Sequence, residues 1–245
     1  MNLDRWNNIL AILKQNDFIT TVNLAKLLNI SEATMRRELN AMQKRGLIIR
    51  TQGGARLSET ENHVKYKDDL LFRFSTNSDS KQKIAKKAAS FIQNGHIIFI
   101  DAGSTTAAIV PYITHKDILV VTNNIKAIIE LSQHGINSYI CNGYVHAGSG
   151  AVFPDDMLFL EQRHFDLCFL GTAGISETYG YTTGSAEDAN TKKTILKNSK
   201  TAFVLGDSNK FGVTRYISFA PLEQSTLITN TAPDFTIPDF NVIIA

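Results

Sequence analysis

Only two cysteines, Cys141 and Cys168, occur in the chain. Both stand in or beside apolar, strand-like runs. They read as small buried hydrophobes rather than a disulfide, which argues against a bridge-stapled secreted scaffold. The six histidines are scattered, with no pair at metal-ligand spacing, so no metal site is expected. No apolar run reaches the roughly 18 residues that crossing a bilayer requires, and no membrane partner is expected. The first residues lack the apolar stretch of an export signal, because Asp4, Arg5 and Lys14 interrupt it. The expectation is a cytoplasmic protein without a cofactor. The remaining composition, 43% hydrophobic and 20% charged over 245 residues, suffices for one or two domains with real cores.

The charge is unevenly spread. Residues 1–60 carry nine Lys/Arg against five Asp/Glu, whereas the rest carries sixteen against eighteen. A basic head on a slightly acidic body suits a polyanion-binding module joined to something else, although surface charge also simply solubilises.

Residues 1–57 contain three helical patterns. In Arg5–Gln15, Trp6, Ile9, Leu10 and Leu13 form one apolar stripe. Thr20 or Thr21 can cap a second helix carrying Val22, Leu24, Leu27 and Leu28, which stops at Asn29-Ile30. Ser31 can cap a third, about Ser31–Lys44. There Met35, Leu39 and Met42 share the core face, while Ala33, Arg36, Arg37 and Asn40 share the opposite one. Arginine can pair with guanine or a phosphate, and asparagine can read adenine, so this face suits a major groove. The short turn between helices two and three has helix-turn-helix spacing. Leu47–Leu57 then reads as strand, glycine turn and strand, a wing whose Arg50 and Arg56 reach phosphates around Gly53-Gly54. The DNA-contact candidates are Ser31, Ala33, Thr34, Arg36, Arg37, Asn40, Arg50, Gly53, Gly54 and Arg56. The plainer reading is a three-helix interaction module with a solvated arginine face, but helix, helix, basic helix and glycine wing in that order favour DNA.

These residues carry a resemblance. Arg5, Leu24-Ala25, Leu28 through Leu39, Gly46-Leu47, Arg50 and Gly53-Gly54-Ala55 resemble the DeoR-family helix-turn-helix. That family usually shows Val-Ser-x-x-Thr-Ile-Arg-Arg-Asp-Leu, and Ile30, Met35 and Glu38 are same-class replacements within it.

A polar connector, 58–79, leads to a body at 80–245. A helix at Lys81–Gln93 is followed by apolar, β-branched runs at 97–100, 118–121, 138–141, 167–170, 201–205, 227–229 and 242–244. Helical segments at 105–113, 124–133 and 186–199 separate several of them. This rhythm predicts a Rossmann-like α/β domain with a mostly parallel sheet. In such sheets ligands bind beyond the C-terminal strand ends. Asp101-Ala102-Gly103-Ser104-Thr105-Thr106 follows the first strand and opens a helix, offering hydroxyls and free amides to an anion. Asn123 and Asn124 follow the second strand, and Gly171 and Thr172 a later one. Asp207 and Lys210 lie beyond the strand at 201–205, where a lysine can neutralise phosphate. Each turn is equally explicable as a helix cap; four together favour a phosphate-tolerant polar pocket.

Lys83-Ile84-Ala85, Ile100–Thr106, Val121–Asn124, Gly171–Ile175 and Asp207–Gly212 extend the DeoR resemblance over nearly the whole chain. The resemblance implies a sensor domain related to sugar-phosphate isomerases such as ribose-5-phosphate isomerase. It also implies a repressor of a carbohydrate operon that responds to a phosphorylated sugar. Three places depart from the pattern. Asn142-Gly143 stands where the family has Gly-Gly, Tyr144–Met157 matches poorly, and Asp188 replaces a glutamate four residues before Lys192. Asp188 joins the effector-site candidates. The related isomerases make an enzyme the rival reading, with Asp101, Glu187, Asp188 or Asp207 as a base. None stands in a catalytic motif, and a DNA-binding head has no purpose in a metabolic enzyme, so a sensor rather than an enzyme is expected. A single head offers few phosphate contacts, which predicts a homodimer or homotetramer on double-stranded operator DNA.

Overall fold

A computed structural model describes residues 3–14, 16, 18–44, 47–57, 78–235 and 240–245. The chain divides into two compact units, Met1–Thr76 and Asn77–Ala245. The connector expected at 58–79 falls mainly on residues 58–77, which lie outside the described residues, as does Gly46. Ser78 and Asp79 already belong to a helix.

In the first unit, α1 (Leu3–Lys14) buries Trp6, Ile9, Leu10 and Leu13 against the other helices. A two-residue strand β1 (Ile19–Thr20) follows, with α2 (Thr21–Leu27) capped by the Thr20 hydroxyl, which accepts from the Asn23 amide at 3.2 Å. Asn29 takes a left-handed φ of 50°, and the Ile30 amide returns to the Ala25 carbonyl, closing the helix. The recognition-type helix α3 (Glu32–Lys44) starts from Ser31, whose hydroxyl accepts from the Thr34 amide; Met35, Leu39 and Met42 are wholly buried. Strands β2 (Ile48–Thr51) and β3 (Gly54–Leu57) form the wing, and β1 adds to it in the order β1-β3-β2. Strand β1 was not expected; two residues are too short to show alternation.

The second unit is built on seven parallel strands. They are β4 (Ile97–Ile100), β5 (Leu119–Thr122), β6 (Ser138–Ile140), β9 (Phe165–Gly171), β12 (Ser199–Leu205), β14 (Thr226–Thr229) and β15 (Val242–Ile244), ordered β15-β14-β12-β9-β4-β5-β6. The central strands β4 and β9, and the second half of β12, read as near-continuous apolar runs because helices and loops bury both faces there. The flanking helices are α4 (Ser78–Ala89), α5 (Ser104–Ala107), α6 (Ile125–Gln133), α7 (Leu158–Glu161) and α8 (Ala186–Lys197). The helix expected at 105–113 is a single turn followed by a 3-10 turn, Val110–Tyr112. Pro111 has no amide hydrogen for the carbonyl of residue 107 and disfavours helical backbone at Val110. Cys141 and Cys168 are separate buried thiols, and burial pushes each up to about 12.

Two small antiparallel elements were not foreseen. One is the sheet β10 (Gly174–Ser176), β11 (Gly180–Thr183) and β13 (Ile217–Ala220). The other is a ribbon, β7 (Gly143–His146) with β8 (Ala151–Pro154), within the stretch that matched the family poorly. The ribbon is joined to the end of β5 by main-chain bonds, the Val152 amide donating to the Asn123 carbonyl at 2.8 Å and the Ile125 amide to the Gly150 carbonyl at 3.2 Å, and Val152 is buried in the same apolar cluster as Val121 of β5.

Candidate functional sites

On the head, the exposed face of α3 presents Ala33, Arg36, Arg37 and Asn40 together, as its periodicity predicts. Arg36 pairs with Glu32 one turn earlier at 3.3 Å, an exposed contact of the kind that contributes little to stability. Arg50 of β2 donates to the Asn40 side-chain oxygen, tying wing to helix. Asn40 is therefore engaged within the protein, where its side-chain oxygen is already an acceptor. Ser31 and Thr34 share a 2.9 Å hydroxyl contact at the start of α3. Gly53, with φ of 84°, makes the turn at the wing tip. Gly54 has a different task. It is buried, and a Cβ there would stand 2.3 Å from the Ile19 carbonyl oxygen and 2.6 Å from the Phe18 ring, so it admits β1 beside β3 rather than facing a ligand. Glu38, the same-class replacement, accepts from Arg5 at 3.2 Å and from the Trp6 indole, which fastens α1 to α3.

In the body, strands β4, β5 and β6 succeed one another in one direction, and β9, β12, β14 and β15 in the other. The chain therefore switches direction between β4 and β9, where the carboxyl ends of a parallel sheet open into a crevice. The residues that follow these two strands form a buried charged cluster. Asp101, 1% exposed, accepts the Gly171 amide at 2.8 Å and the Lys192 ammonium at 2.5 Å through one oxygen. Lys192, on α8, also donates to Asp188 at 2.8 Å, and the Thr183 hydroxyl donates to the other Asp188 oxygen. Burial alone would lower the Lys192 pKa; the two carboxylates outweigh it and hold the ammonium above its ordinary value. Lys192 served in the sequence only as a landmark. Its signal was the Asp188–Lys192 spacing of one helical turn.

Two groups beside this cluster keep unused hydrogen-bonding capacity. The second Asp101 oxygen, and both ends of the fully buried Asn123 carboxamide, have no partner among the described residues. Register pairs Ile100 with Thr122, so Asp101 and Asn123 are the next residues along on adjacent strands. Buried polar atoms in a native fold are rarely left unbonded, which marks these two.

The other expected effector contacts separate into two groups. The Thr106 hydroxyl donates to the Asp101 carbonyl at 2.6 Å and accepts from the Gly103 amide at 3.0 Å, so it builds the turn. Thr172 donates to the Gly174 carbonyl at 2.7 Å. The Asn124 side chain caps α6 and donates to the Gly103 carbonyl at 3.1 Å. Gly103 and Gly171 let β4 and β9 converge: a Cβ on Gly171 would lie 3.3 Å from the Asp101 carboxylate. Ser104 and Thr105 remain half-exposed at the start of α5, where first-turn amides have no intrahelical acceptor. Asp207 accepts from the Asn209 amide at 3.0 Å, and Lys210 closes the same 3-10 turn half-buried. Lys81, which sequence reasoning did not single out, is 7% exposed on α4, and α4 packs against α5.

Residues 5–61 match the DeoR-like helix-turn-helix domain, and residues 76–231 the DeoR C terminal sensor domain. The chain belongs to the DeoR family. As a DeoR-family member it is a DNA-binding transcriptional regulator with a sensor domain. It is 35% identical to the HTH-type transcriptional regulator FruR of Bacillus subtilis, over 97% of this chain and 94% of that one. It is 28% identical to the glycerol-3-phosphate regulon repressor of Escherichia coli, over 94% of this chain and 90% of that one. Among solved structures, ribose 5-phosphate isomerase from Methanocaldococcus jannaschii aligns with 56% of this chain and 55% of its own, at 20% identity and a TM-score of 0.42. Among the described residues, no helix is long and apolar enough to cross a membrane.

Proposed function

We propose that this DeoR-family regulator represses a carbohydrate-metabolism operon from the cytoplasm, as a homodimer or homotetramer, and that a phosphorylated sugar at the strand ends relieves repression. The observation that carries the effector site is the unmet hydrogen-bonding capacity of Asp101 and Asn123 at the switch point. A carboxylate oxygen accepts from a sugar hydroxyl, and a carboxamide both donates and accepts. The cluster beside them holds two carboxylates for one ammonium. That balance repels a phosphate dianion, so the hydroxylated part of the ligand faces Asp101 and Asn123. The phosphate then lies against Ser104, Thr105 and Lys210. The Escherichia coli relative is a glycerol-3-phosphate regulon repressor, which agrees with a small phosphorylated ligand. On the head, Arg36 and Arg37 enter the major groove while Arg50 and Arg56 flank it.

Asp101, one of the four carboxylates considered as a catalytic base, is anchored to the Gly171 amide and the Lys192 ammonium. Anchoring suits recognition rather than proton shuttling, and the protein acts as a sensor, not an isomerase. Thermal-shift screening against phosphorylated sugars, followed by release of operator DNA in a gel-retardation assay, tests the reading. A phosphorylated sugar should stabilise the protein and release DNA, and Lys210→Ala should weaken both effects while leaving DNA binding intact. A protein that turns such a sugar into product at steady rate would reverse the assignment.

A further inference from the structure

We propose that the outer edge of the body formed by β6 and β7 is where a second copy of this chain docks. Strand β6 ends the seven-stranded sheet, and β7 pairs only with β8, so among the described residues both have an unpaired main-chain edge. Monomeric proteins guard such edges with charge or proline. Here the edge carries Tyr139, Ile140, Tyr144 and Val145, which are 55%, 38%, 60% and 44% exposed. From Leu131 to Pro154 there is no Lys, Arg, Asp or Glu.

The missing charge identifies the occupant. Nucleic acid would require cations on this surface, and a charged peptide would require the opposite sign. A two-fold interface sets a patch against its own copy, where any net charge would meet itself and repel. A neutral, tyrosine-rich edge avoids that penalty, and tyrosine suits interfaces because its ring buries area while its hydroxyl bonds. Two β7 edges running antiparallel about such an axis would also satisfy each other's free amides and carbonyls.

Sedimentation velocity of the full chain, with no ligand present, decides the matter. The wild type should sediment as a dimer or larger species. Tyr144→Glu and Tyr139→Lys should each halve the sedimenting mass and weaken association at least about tenfold, with unchanged far-ultraviolet circular dichroism. Tyr216→Glu, at an 86% exposed position elsewhere, should behave as wild type. If one edge variant fails to fold, the other decides alone. A monomeric wild type, or edge variants that associate as tightly as wild type, overturns the proposal. The proposal rests on the homo-oligomer of the proposed function: a monomeric wild type sinks both, whereas edge variants that associate as tightly as an oligomeric wild type sink this interface alone, and neither result touches the effector site.

Discussion

Replacing Lys192 by methionine tests the electrostatic logic of the sensor domain. Lys192 and Asp101 are 3% and 1% exposed, so Lys192→Met strands a carboxylate that water cannot reach. Breaking one side of a buried pair typically costs about 3–5 kcal/mol. The variant should therefore lose about 4 kcal/mol at pH 7, a Tm drop of about 8–16 °C for a unit of this size. A second change, Asp101→Asn, should restore part of the loss by removing the stranded charge. Urea denaturation followed by far-ultraviolet circular dichroism measures both. A loss below about 1 kcal/mol, or a double variant no more stable than the single one, would refute the reasoning. In the wild type the pair also sets a pH dependence. The raised Lys192 pKa makes the pair's contribution complete below the ordinary lysine value of 10.5, and it fades only as pH rises through the folded value.

Arg36→Ala with Arg37→Ala should abolish operator retention in a gel-retardation assay while leaving the melting curve and sugar-phosphate binding unchanged; an unaltered footprint removes α3 from DNA reading. Gly54→Ala, whose new methyl would meet the Ile19 carbonyl at 2.3 Å, should destabilise the head by about 1–3 kcal/mol, read by Trp6 fluorescence. Gly53→Ala should cost less, about 1 kcal/mol, because only its φ of 84° is strained and nothing stands within 4 Å.

The parts legible in the sequence were those where one physical signal stood alone. Met35, Leu39 and Met42 recur at helical spacing, and the arginines opposite them emerged on the exposed face of α3. The seven parallel strands announced themselves as short apolar runs, each within a few residues of its observed bounds. Legibility failed where two signals competed. Gly53 and Gly54 looked alike as a turn, yet only the tertiary approach of Phe18 and Ile19 makes Gly54 a spacer. Gly171 to Gly174 read as one rim turn, and the sheet of β10, β11 and β13 was missed because its threonines and glycines mimic a loop. The hydroxyls of Thr106 and Thr172 were read as ligand donors because no sequence pattern reveals that the backbone already occupies them. Lys192 was overlooked for a related reason. Its second partner, Asp101, is 91 residues away.

The two amide bonds that fasten the β7–β8 ribbon to the end of β5 have an evolutionary corollary. Peptide groups are common to every residue type, so the two bonds themselves survive any replacement at positions 125 and 152 except proline, which has no hydrogen to donate, while burial still holds position 152 to an apolar residue. Side chains around Asn123 can thus drift toward a new metabolite without loosening the ribbon's attachment.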